Sequence, residues 1–97
     1  MANPYDVAYA RSLDDPNAFW GDIAQQIDWV KPWDKVLDDS NPPFYRWFSG
    51  AECNTCYNAV DRHVEKGRGD QAAVIYDSAM TGGTPQTLTY AQLQDQV

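Results

Sequence analysis

The chain has 97 residues, 43% of them hydrophobic, which suffices for one small domain and no more. A formal net charge of −7 and a pI near 4.3 argue against a nucleic-acid surface, which needs basic side chains to displace phosphate counterions, and disfavour docking on an anionic membrane leaflet. No apolar run approaches the roughly 20 residues that span a bilayer. The amino terminus lacks a secretory pattern and two cysteines suit a reducing compartment, so the expected location is cytoplasmic.

Asn3-Pro4 sets a capping side chain before a proline at the first helical position, and predicts a helix ending near Leu13 with Tyr5, Ala8 and Tyr9 on one side. Asp14-Asp15-Pro16 repeats the device, with two acids at the positive end of the next helix. That second helix is expected from 16 to 27 or 28, its apolar stripe being Phe19, Trp20, Ile23, Ala24 and Ile27. From 28 to 44 the period dissolves into turn chemistry at Lys31-Pro32, Asp38-Asp39-Ser40-Asn41 and Pro42-Pro43. Yet Trp29, Val30, Trp33, Val36 and Leu37 are too apolar for a free linker. The expectation is an irregular segment pinned over a surface by its tryptophans, then an extended run over 44–48 closed by Ser49-Gly50.

Residues 52–70 organise the chain. Cys56, Ala59, Val60, His63 and Val64 recur at α-helical spacing, with Asn54 or Thr55 as the N-cap and Lys66-Gly67 as the stop. Ala72–Tyr76 (Ala-Ala-Val-Ile-Tyr) follows as a compact strand, expected to be buried. Residues 80–85 (Met-Thr-Gly-Gly-Thr-Pro) predict a hairpin loop that returns 86–88 beside that strand. Thr89 then caps a helix whose Tyr90, Leu93 and Val97 form an apolar face expected to lack a partner. The fold class read from this order is α+β, a mostly helical amino-terminal segment plus a two-stranded hairpin, with three or four helices in all.

Several features suggest chemistry, and each has a plainer structural reading. Cys53-x-x-Cys56 could be a redox pair at a helix start, or with His63 the beginning of a metal site; a structural zinc site needs four ligands and a second pair is absent, so two buried, inert thiols with slow alkylation are expected. His63, between Val60 and Val64, reads as a core histidine satisfied by a backbone or carboxylate partner. Asp61-Arg62 reads as a tie from the helix to the preceding aromatic segment, and Arg68-Gly69-Asp70 as a turn rather than an adhesion signal. The 80–85 loop resembles a phosphate cradle only superficially, since no Lys follows it. The tryptophans, with no basic residues interleaved, read as anchors onto a larger core rather than a ligand cage or base-stacking platform. No catalytic, cofactor-binding or metal-ligating residue is therefore assigned.

A family resemblance spans nearly the whole chain. Asp15-Pro16, Phe19-Trp20, Trp29, Trp47-Phe48, Cys53-Asn54, Tyr57-Asn58-Ala59-Val60-Asp61-Arg62-His63, Arg68-Gly69-Asp70, Ala73-Val74-Ile75 and Thr89-Tyr90-Ala91-Gln92-Leu93 occur in an order that resembles the amino-terminal segment of short-chain acyl-CoA synthetases, the acetyl- and propionyl-CoA synthetase branch of the adenylate-forming superfamily. The block from Cys56 to Val64 and Ile75-Tyr76-Asp77-Ser78 look closer to propionyl-CoA synthetases. Glu52-Cys53 departs from the apolar residue, usually Leu, that the family places before the Asn. The resemblance implies that residues 1–50 form a helical and irregular wrapping arm and 51–97 begin the large α/β adenylate-forming domain.

It further implies a full-length AMP-forming ligase that joins propionate or acetate to CoA, using ATP, Mg²⁺ and CoA. The phosphate loop, nucleotide-binding acids, CoA-binding arginines and catalytic lysine of that family fall beyond Val97, so these 97 residues are expected to be inactive alone. The expected partner is the remainder of the large domain, and an open hairpin edge favours self-association of the isolated piece. The alternative is an autonomous acidic module that binds a protein partner through its aromatics.

Overall fold

A computed structural model describes Met1 and residues 3–97, Thr81 by its backbone alone. The chain divides into two units, Met1–Cys53 and Asn54–Val97.

In the first unit the capping residues act as read. Asn3 Oδ1 accepts the Asp6 N–H at 2.9 Å and starts α1 (Pro4–Asp14). Asp15 closes α1 through its own N–H to the Arg11 carbonyl at 3.1 Å, and opens α2 (Pro16–Ala24) by accepting the Ala18 N–H at 3.0 Å. One residue thus makes the elbow. Arg11 spans it, 3.1 Å from Asp22 and 5.6 Å from the centre of the Phe19 ring; both charged side chains are well exposed, so the ion pair adds at most about 1 kcal/mol.

The second helix stops at Ala24, short of the expected 27 or 28. Its last turn tightens to three-residue spacing, with Gln26 and Ile27 bonded to the Ile23 and Ala24 carbonyls, each at 3.1 Å. Trp29 Nε1 also donates to the Ala24 carbonyl at 2.8 Å. A side chain from the next element thereby supplies the helix end.

The stretch expected to be irregular contains two strands. β1 (Trp29–Lys31) pairs antiparallel with β4 (Glu52–Cys53) through Trp29↔Cys53 and Lys31↔Glu52 with a register irregularity, and β2 (Lys35–Asp38) pairs with β3 (Arg46–Ser49) through Lys35↔Ser49, Leu37↔Trp47 and Asp38↔Arg46. Strands of two to four residues are too short to print an alternating pattern, so the ladder exists only through partners distant in sequence. The extended reading of 44–48 holds for its second half, in β3. α2 lies against β2: Asn17 Oδ1 accepts the Leu37 N–H at 3.2 Å, and a Cβ on Gly21 would lie 3.4 Å from Val36 Cγ2. At the end of β3, Phe48 takes φ +50, a left-handed conformation that costs a bulky side chain about 1–2 kcal/mol. Gly50 follows at φ +78, where a Cβ would collide with the Asp34 carboxylate.

In the second unit Asn54, rather than Thr55, caps the central helix, accepting the Tyr57 N–H at 2.8 Å. The helix is wound wide, with i→i+5 turns over Tyr57–Asp61 and Val64–Arg68. Wider winding rotates each residue less than an α-helix does, and the expected face breaks up: Val60 is buried and His63 and Val64 are half-buried, but Cys56 and Ala59 are exposed. The backbone leaves helical geometry at Gly67, φ +83, where the stop was read.

β5 (Ala72–Tyr76) and β6 (Gln86–Thr89) form the expected hairpin in the register Ala72↔Thr89, Val74↔Leu88, Ile75↔Thr87 and Tyr76↔Gln86. The expected burial of β5 is not found, since Ile75 is 72% exposed. Within the connection, a short 3₁₀ turn over Ala79–Thr81 is capped by Ser78, and Gly82 and Gly83 both adopt positive φ, which is tight-turn geometry. Thr89 and Gln92 form a full capping box on α3 (Tyr90–Gln96). Backbone bonds from Tyr90 to Gln71 and from Ala91 to Gly69, each 3.0 Å, tie this helix to the turn after the central helix. Of its apolar face, Tyr90 and Leu93 are half-buried within the unit and Val97 is exposed.

Among the described residues only Ala24 and Val60 are buried hydrophobics, at 3% and 7% exposure. Burial this thin leaves most of the apolar side chains facing outward.

Candidate functional site

Two clusters concentrate the side chains with functional potential, one in each unit. The first is aromatic. Trp29, Trp33 and Phe48 pack as a triad with ring centres 5.4–5.5 Å apart. Phe48 also contacts Trp47 at 6.2 Å, Trp47 meets Trp20 edge-on at 6.1 Å, and Trp20 meets Phe19 at 5.1 Å. Such edge and offset contacts are the favoured aromatic geometries. Trp20, Trp47 and Phe48 line an open apolar cleft of about 370 Å³. This cleft was not foreseen; its signal in the sequence was the Trp47-Phe48 pair entering an extended run, but the closure against Trp20 depends on α2 lying across the β2–β3 ladder.

The second cluster surrounds His63. Its ring lies 5.3 Å from that of Tyr90, and Arg68 sits 5.8 Å from the centre of the same Tyr90 ring. Arg68 Nη1 is 3.4 Å from His63 Nδ1, and Arg68 Nε donates to Gln71 Oε1 at 2.7 Å. Partial burial, then the cations Arg68, Arg62 and Lys66, lower the His63 pKa below 6.5, against a smaller opposing effect from its hydrogen bond to the Asn58 backbone. The shift favours the neutral ring. A histidine surrounded by three cations and hydrogen-bonded to the backbone anchors two helices; it is poorly placed to gather protons from a substrate.

The remaining sequence features fall elsewhere. Asp61 accepts from Gln94 Nε2 at 2.8 Å, so it ties the central helix to α3 rather than to the aromatic segment. Tyr57 donates its hydroxyl proton to Glu65 at 2.8 Å. Arg68, Gly69 and Asp70 form a turn, with the Gln71 N–H bonded to the Arg68 carbonyl at 3.1 Å. Cys53 and Cys56 are free thiols, both exposed, which overturns the expectation of buried ones: Cys53 lies on the short β4 and Cys56 on the outer side of the widened helix. Among the described residues no group of three or more His, Cys, Asp or Glu side chains is placed to hold a metal ion. No helix there is long and apolar enough to cross a membrane.

The family described as acetyl-coenzyme A synthetase N-terminus matches residues 5–59. The chain is 50% identical over 93 residues to the human acyl-CoA synthetase short-chain family member 3, mitochondrial, covering 96% of this chain and 13% of that protein. It is 42% identical over 93 residues to an acetyl-coenzyme A synthetase of Deinococcus radiodurans and 43% over 96 residues to that of Streptomyces coelicolor, covering 96% and 99% of this chain and 14% of each relative. The chain belongs to the acetyl-coenzyme A synthetase N-terminus family and corresponds to the amino-terminal segment of a short-chain acyl-CoA synthetase. It spans about one seventh of the length of the curated relatives it matches.

Proposed function

We propose that these residues are the amino-terminal structural segment of an AMP-forming acyl-CoA ligase that converts propionate or acetate, ATP and CoA into acyl-CoA, AMP and pyrophosphate. The observation that carries this reading is the 50% identity to a short-chain acyl-CoA synthetase across 96% of the chain. Residues 1–50 act as a wrapping arm, and 51–97 begin the large adenylate-forming domain, whose remainder is the partner of both. The outward aromatic and aliphatic side chains, Trp20, Trp47 and Ile75 among them, support that role, since so thin a core gains most by lying on a larger body.

The segment supplies no catalytic group. ATP, Mg²⁺ and CoA fall to the rest of the ligase: the loop over 80–85 is a turn with no lysine after it, and among the described residues no group of three or more His, Cys, Asp or Glu side chains is placed to hold a metal ion. Propionate is the favoured substrate on the propionyl-type block from Cys56 to Val64. The compartment is cytoplasmic, where Cys53 and Cys56 persist as thiols.

The test is the complete reading frame, expressed and assayed with propionate or acetate, ATP, Mg²⁺ and CoA. AMP release with thioester formation, faster with propionate, is the expected result. A native frame that ends at Val97 overturns the reading in favour of the autonomous interaction module.

A further inference from the structure

We infer that the cleft of Trp20, Trp47 and Phe48 is a socket that receives one apolar side chain, carried on a basic segment of the same polypeptide downstream of Val97. The inference rests on the ligase-segment reading, which places a body some six times larger beside this chain.

Three observations point to an occupant. The cleft is open and walled by aromatic carbon, yet Trp20 and Trp47 remain 40% and 48% exposed, so its walls gain further burial when filled. Phe48 is held there at φ +50, a conformation that phenylalanine rarely adopts, while Trp29 and Trp33 brace the ring from behind. Strain of this kind persists where surrounding structure over-determines it, which fixes the wall before anything docks. Finally, residues 1–53 carry nine acidic and four basic side chains, and two of the four basic ones, Arg11 and Lys35, already face Asp22 and Asp38. The surplus is negative, so charge complementarity selects a segment with lysine or arginine flanking its apolar residue.

The test uses the intact ligase with Trp47→p-benzoylphenylalanine, irradiated and mapped by peptide mass spectrometry. An intramolecular cross-link to an apolar residue beyond position 97, flanked by lysine or arginine, is expected. A cross-link to a second copy or to a different protein, or to an acidic or neutral segment, overturns the inference, as does none at all. Hydroxyl-radical oxidation of Trp20 and Trp47 in the unsubstituted ligase gives an independent reading. Severalfold protection relative to the urea-unfolded protein supports the socket, and oxidation at the unfolded rate overturns it. Thioester formation by the same preparation separates the two claims: activity without the internal cross-link sinks the socket alone, and the internal cross-link without activity sinks the ligase assignment alone.

Discussion

The indole nitrogen of Trp29 donates a 2.8 Å hydrogen bond to the carbonyl of Ala24, the most deeply buried apolar residue among those described. This bond joins the end of α2 to the start of β1, and it explains why the helix ends three residues before its apolar stripe does. Trp29→Phe keeps the ring among Trp33 and Phe48 but removes the donor. A loss of about 1 kcal/mol in unfolding free energy is expected, measured by urea denaturation.

Gly50 and Gly67 separate two costs that are often confounded. Both adopt φ near +80, but a Cβ at Gly67 meets nothing within 4 Å, whereas at Gly50 it would strike the Asp34 carboxylate. Gly67→Ala should cost about 1–2 kcal/mol, the left-handed penalty alone. At Gly50 the atom struck is the free end of the Asp34 side chain, which turns aside at small cost, so Gly50→Ala should lose the same left-handed penalty and little more. A much larger loss at Gly50 that Asp34→Ala relieves would show instead that the Asp34 carboxylate is fixed in place.

His63 makes stability depend on pH with a definite sign. Its folded pKa lies below 6.5, through partial burial and then Arg68, Arg62 and Lys66, so below 6.5 the unfolded chain binds more protons. The stabilisation is complete above pH 6.5 and declines as pH falls from there toward the lowered value. Urea midpoints at pH 7.5 and 5.5 should differ in that direction, and His63→Gln should remove the part of the difference that falls in this window.

Exposed thiols react at ordinary rates. Iodoacetamide should modify both Cys53 and Cys56 of the 97-residue chain under native conditions at rates close to those in denaturant. Strong protection of either cysteine would contradict its exposed position.

The 97 residues alone should form no CoA thioester from propionate or acetate with ATP and Mg²⁺. The loop over 80–85 is a turn with no lysine after it, and His63 is held among cations. Turnover by the purified segment would overturn this expectation.

Local signals were legible wherever they act within a few residues. The caps at Asn3, Asp15, Asn54 and Thr89, the stop at Gly67 and the β5–β6 hairpin all follow from side chains or turn geometry close to the backbone they satisfy. The two ladders β1–β4 and β2–β3 were not legible, because each strand is shorter than the window over which alternation shows. The face of the central helix was misread for a related reason: Cys56 and Ala59 belong to an α-helical stripe, and wide winding carries them outward.

The amino-acid order by itself thus determined the helix starts, the turns and the family, since these depend on contiguous residues and their spacing. Tertiary structure alone decided where α2 ends, how Trp20 meets Trp47 and Phe48, and that both cysteines face solvent. Those outcomes depend on contacts between residues far apart in the chain, whose energies no local pattern records.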